Sequence, residues 1–96
     1  MTRYLALQGC EVYTPTEKIS NSLVLIDDSS VVYVGASSSI DIPKETQVYD
    51  LSNLILTPGF IDLQVNGFGK DAILSSEAYK INRIAKNLFK RGTTSF

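Results

Sequence analysis

The sequence predicts an α/β chain: a β-rich, sandwich-like lead over residues 1–57, then a strand, a helix and the start of a second strand over 58–96. Three observations predict it. Short apolar runs separated by Gly, Asp, Asn, Ser and Pro fill the first part, as short strands and turns do. Pro58-Gly59 marks a change of organisation. Beyond it, an alternating segment leads into a run with helical spacing and then into Gly92-Thr93-Thr94-Ser95-Phe96.

In chain order, Tyr4–Leu7 reads as a strand, which Glu11–Tyr13 continues after Gly9. Ser22–Ile26 is an apolar strand. Asp27-Asp28-Ser29-Ser30 is turn chemistry, because these side chains bond to nearby backbone. Val31–Val34 returns and ends at Gly35, so the pair reads as a hairpin with a four-residue connection. Ser37–Ser39 with Pro43 is a loop. Thr46–Tyr49 and Leu54–Leu56 are two more short strands, joined through Asp50–Asn53.

The segment Pro58-Gly59-Phe60-Ile61-Asp62-Leu63-Gln64-Val65-Asn66-Gly67 is the most informative. The side-chain period of a strand is two, so Asp62, Gln64 and Asn66 fall on one face and Ile61, Leu63 and Val65 on the other. The strand stops at Gly67, where Gly67-Phe68-Gly69 permits a bend. An amphipathic strand with one wet face explains this pattern; so does the floor of a site.

A helix follows. Ser75 or Ser76 caps it, and Glu77 suits its positive end. Ile81, Ile84, Ala85, Leu88 and Phe89 make one apolar face, while Lys80, Arg83, Lys86, Asn87 and Lys90 lie mostly opposite. Lys90 and Arg91 suit the negative end, and Gly92 is the stop.

Composition narrows the function classes. The 96 residues are 44% hydrophobic and 20% charged, a globular composition. Nine basic against ten acidic residues give a net charge of -1 with no basic patch, which disfavours nucleic acid as a partner. The N-terminal apolar run is too short for a signal peptide, and no stretch reaches the roughly 20 apolar residues of a membrane span. A cytoplasmic protein without a membrane partner is the expectation. Cys10 is alone and reads as a small buried apolar residue. The chain has no histidine, which excludes a Ser/His/Asp or Cys/His arrangement within it. Gly67-Phe68-Gly69-Lys70 lacks the spacing and the hydroxyl residue of a phosphate-binding P-loop.

Pro58-Gly59-Phe60-Ile61-Asp62 followed by a polar-x-polar pair resembles the first barrel strand of the amidohydrolase superfamily. Most of that superfamily has His-x-His at the pair, where both histidines bind metal. Gln64-x-Asn66-Gly67 resembles one branch in particular, the N-acetylglucosamine-6-phosphate deacetylases. Arg91-Gly92-Thr93-Thr94-Ser95-Phe96 is similar to the entry to that branch's second barrel strand. The resemblance covers the whole chain, most specifically the strand motif. Lys70 departs from it, since the family often keeps a small residue there.

The resemblance implies that 58–96 is strand 1, helix 1 and the beginning of strand 2 of a (β/α)8 metal-dependent hydrolase barrel, truncated. A closed barrel takes roughly 200 residues or more. It implies a sugar-phosphate substrate, a homo-oligomer at full length, and hydrolysis of the N-acetyl group to glucosamine 6-phosphate and acetate. It also implies a divalent metal, zinc or similar, bound mainly by residues beyond Phe96. Amides are poor zinc ligands, so Gln64 and Asn66 are expected to line the site near the metal rather than to hold it. Asp62 is expected to orient a ligand or a neighbouring polar group. On the residues themselves, Gly67 and Gly69 either let substrate or a loop approach the backbone or serve only as turn glycines. No catalytic residue and no metal ligand is assigned within the chain, so the 96 residues alone are expected to be inactive. Their exposed apolar faces and open strand edges predict poor stability or self-association. The alternative is a non-catalytic β module acting in binding or assembly. A cyclic-imide or cyclic-amide hydrolase would carry His-x-His at 64 and 66.

Overall fold

The computed structural model describes residues 3–63, 67–68, 71–72 and 78–96. The chain divides into two compact units, Met1–Pro58 and Gly59–Phe96.

The first unit is built on β1 (Tyr4–Gln8), β2 (Glu11–Tyr13), β3 (Lys18–Ile19), β4 (Ser22–Asp27), β5 (Ser30–Ala36), β6 (Gln47–Asp50) and β7 (Ile55–Leu56). A four-stranded sheet runs β5-β4-β1-β6, and a three-stranded sheet runs β3-β2-β7. β4 pairs antiparallel with both β1 and β5, whereas β6 joins β1 in parallel and β7 joins β2 in parallel.

β4 holds this unit together because it is buried on both faces. Leu23 and Leu25 pack with Ala6 beneath Tyr4, Tyr33, Ile40 and Ile42. Val24 turns the other way and packs with Cys10 and Val12, bordered by Leu7, Ile19, Ile26, Leu51 and Leu56. An uninterrupted apolar run is what a strand covered on both sides requires.

Several elements differ from the sequence expectation. β2 does not continue β1: Gly9, at φ +90°, turns the chain out of the first sheet and into the second. A Cβ at Gly9 would sit 2.7 Å from the Ser52 hydroxyl oxygen, so both the left-handed conformation and the close approach require glycine. The β4–β5 hairpin turns through Asp28 and Ser29 alone, because Asp27 and Ser30 are themselves ladder partners. Asp28 takes φ 56°, a left-handed conformation that aspartate tolerates. Arg3 anchors this end: its guanidinium pairs with both Asp27 carboxylate oxygens, Nη2 to Oδ2 at 2.7 Å. β5 continues through Gly35 to Ala36, and Ser37–Ser39 forms a single 3-10 turn rather than an open loop. β3 was not expected; its two residues pair with Val12 and Tyr13.

The second unit contains β8 (Phe60–Ile61), β9 (Gly67–Phe68), β10 (Asp71–Ala72), α1 (Ala78–Lys90) and β11 (Thr93–Ser95). β8 and β11 are parallel neighbours with α1 between them in sequence. β9 and β10 form a small antiparallel pair. Gly67 therefore does not end a strand; it lies in one, opposite Ala72. Ile84 and Leu88 are buried, but Ile81 and Phe89 of the expected apolar face are exposed. Gly92, at φ +93°, ends the helix, and its N–H donates to the Phe89 carbonyl at 3.1 Å. The expected caps at Ser75 or Ser76, and Glu77, lie outside the described residues.

Candidate functional site

The sequence points to the carboxyl end of β8, where parallel α/β units carry ligand sites. β11 sets the geometry there. Thr93 pairs with Phe60 and Ser95 with Ile61, so Thr94 is an extra residue between two ladder positions. Phe60 N–H donates to the Gly92 carbonyl at 2.8 Å, and Asp62 N–H to the Ser95 carbonyl at 2.9 Å. Gly59 explains how closely the strands approach. A Cβ on it would lie 2.2–2.8 Å from Thr94 Cγ2, Oγ1 and Cβ, so the Thr94 side chain occupies the space glycine leaves.

The regular strand is shorter than expected. β8 spans Phe60–Ile61, Asp62 keeps one ladder bond, and Leu63 is a bend. Gln64, Asn66 and Gly69 lie outside the described residues. Asp62 is exposed beside the end of β11. Gly67 sits in β9.

No group of three or more Asp, Glu, Cys or His able to hold a metal occurs among the described residues. A hollow of about 400 Å³ lies between α1 and β11, walled by Ala85, Phe89, Thr93, Thr94 and Phe96 with the stems of Lys86 and Lys90. Its walls are mostly apolar, with Lys86, Lys90 and the two threonines as the polar residues that line it. Sequence reasoning missed Thr94 and Ser95 as the residues that place Gly59 and Asp62. Only the pairing of β11 with β8 shows it.

Neither the family models nor the curated proteins give a match to this sequence. Among solved structures, the chain is similar to a crystal structure of β-aspartyl dipeptidase from the thermophilic, keratin-degrading Fervidobacterium islandicum AW-1, in complex with a β-Asp-Leu dipeptide. The TM-score is 0.52 at 18% identity. The match covers 100% of this chain and 33% of that one, so the chain spans about a third of the length of the structure it matches. The fold is shared with that part of the dipeptidase. It is a mixed α/β, β-rich fold with one helix among the described residues. No helix among the described residues is long and apolar enough to cross a membrane.

Proposed function

We propose that this chain supplies the small β unit and the first strand-helix-strand unit of an amidohydrolase-type hydrolase acting on an amide bond. The parallel β8–α1–β11 unit carries this reading. It follows a separate β unit, as the first unit of a barrel would, and the fold likeness to the dipeptidase runs over the whole chain.

The finer reading is N-acetylglucosamine-6-phosphate deacetylation, supported by Gln64-x-Asn66-Gly67 where His-x-His would mark most of the superfamily. In it a divalent metal, held by residues outside this chain, would polarise the amide carbonyl and lower the pKa of the attacking water. Gln64 and Asn66 would hydrogen-bond water or substrate through their amides. Asp62 would orient a neighbouring polar group. A cytoplasmic enzyme of amino-sugar metabolism fits this reading.

The test starts with mass spectrometry of the native product, for peptides beyond Phe96. The purified product is then assayed for acetate release from N-acetylglucosamine 6-phosphate and for cleavage of a β-aspartyl dipeptide. Acetate release without dipeptide cleavage supports the finer reading. Dipeptide cleavage alone keeps the hydrolase and rejects the deacetylase. A native product that stops at Phe96 and turns over neither substrate favours the second reading, a non-catalytic binding or assembly module. An open apolar groove of the β unit, bordered by Leu7, Val12, Val24, Val31, Val34 and Leu56, is the observation behind that second reading.

A further inference from the structure

Residues 78–96 carry Lys80, Arg83, Lys86, Lys90 and Arg91 and no Asp or Glu. Within α1, positions 79, 83, 86 and 90 recur at helical spacing, so Tyr79, Arg83, Lys86 and Lys90 form one stripe roughly three turns long. The stripe lies across the helix from Ile84 and Leu88, which are buried. Lys86 and Lys90 are exposed, and Tyr79 is 60% exposed. The Arg83 guanidinium carbon lies 5.7 Å from the centroid of the Tyr79 ring, within cation–π reach. Arg83 and Lys86 are three residues apart, and Lys86 and Lys90 four. Like charges at such spacings destabilise a helix. A set of carboxylates laid along the stripe would relieve that repulsion.

We propose that this stripe is a docking surface for an acidic segment of a partner protein: a helix whose carboxylates share one face at the spacing of Arg83, Lys86 and Lys90. Charge complementarity sets the sign of the partner, and the make-up of the stripe sets its class. A helix that lies on a membrane sinks its apolar face into the lipid. The apolar residues Ile84 and Leu88 of α1 are instead buried in the chain itself. A nucleic acid presents a long run of phosphates. This chain answers it with a net charge of -1 and a short row of cations. A few carboxylates on one helix match that row in number and in reach. Tyr and Arg are also the side chains enriched where protein interfaces bind most strongly. Tyr79 supplies apolar contact at one end of the stripe, and the two lysines supply charge at the other. The proposal goes beyond the hydrolase reading and stands apart from it, because it uses the side of α1 turned away from Ile84 and Leu88. A short row of exposed ion pairs gives a weak contact, with a Kd on the order of 100 µM.

Fluorescence anisotropy tests this, on the protein at the length its source makes it. The probe is a labelled helical peptide with Glu at i, i+3 and i+7 and a Leu beside them. A control peptide has the same composition with its Glu residues spread around the helix. The matched peptide is expected to bind several-fold more tightly than the control, and more weakly as salt is added. Lys86→Glu combined with Lys90→Glu raises Kd on the order of tenfold. Tyr79→Ala raises it about threefold with no change of charge, and Lys44→Glu, in the first unit, leaves it unchanged. The comparison of the two peptides needs no variant, so it decides the matter even if the double variant does not fold. Equal affinity for the two peptides, no binding of either, or a Kd indifferent to Tyr79→Ala would each overturn the proposal. So would tighter binding to duplex DNA or to phosphatidylserine vesicles than to the matched peptide.

Discussion

Ser22 holds Cys10 twice: its hydroxyl donates to the Cys10 carbonyl at 2.7 Å, and its backbone N–H donates to the same oxygen at 3.1 Å. The Cys10 sulfur lies 3.3 Å from that hydroxyl, and both residues are fully buried. The pair ties the start of β4 to the point where the chain passes between sheets. Ser22→Ala keeps the backbone bond and is expected to cost about 1 kcal/mol, the net worth of one hydrogen bond. Urea denaturation reads this. Cys10 is expected to react with a thiol reagent only as fast as the first unit opens, so its labelling rate should rise with denaturant.

Gly59 and Thr94 form a second dependent pair. Gly59→Ala forces Thr94 or the β8–β11 register to shift, at an expected cost of about 1–3 kcal/mol, as overpacking does. Thr94→Ala removes two of the three atoms a Cβ would strike. The double variant should therefore lose less stability than the two single variants added together. Additive losses in a double-mutant cycle would refute the close approach.

Asp50 accepts from the Ser52 hydroxyl at 2.6 Å and from the Ser52 N–H at 3.0 Å. The hydroxyl bond first, and the backbone bond second, hold its pKa below the usual aspartate range. A carboxyl whose folded pKa is lowered binds protons more readily when unfolded. Its contribution to stability is complete above the unfolded pKa and is lost as pH falls through the folded one. Ser52→Ala should return Asp50 toward the ordinary value and weaken this acid-side dependence, as a carbon-detected NMR titration of Asp50 would show.

On α1, Ile84 is fully buried and Phe89 is 69% exposed, although both belong to the same predicted apolar face. Ile84→Ala is expected to cost about 2–5 kcal/mol. Phe89→Ala should stay within about 0.5 kcal/mol, as surface changes do. Equal losses on thermal or urea melts would show that Phe89 is covered.

Much of the fold was legible in the residues because its causes are local. The apolar run of β4, the helix spacing of Ile84 and Leu88, and the glycine stop at Gly92 each depend on a few neighbours along the chain. Asp28-Ser29 announced a turn for the same reason, though not its length, because Asp27 and Ser30 join the ladder only when the opposite strand is present. For the candidate site, Pro58–Asp62 announced the start of β8, whereas the expectation for Gln64 and Asn66 lies outside the described residues.

By itself, then, the sequence determined the longer strands of the first unit and the helix, and that no histidine chemistry resides in this chain. Only the tertiary structure decided that Gly9 sends β2 to a different sheet, that β6 and β7 pair in parallel, and that Thr94 fills the space beside Gly59. The reason is physical. Turn and periodicity signals arise from interactions within a few residues, whereas a ladder partner or a filled hollow belongs to residues distant in sequence, which meet only once the chain has folded.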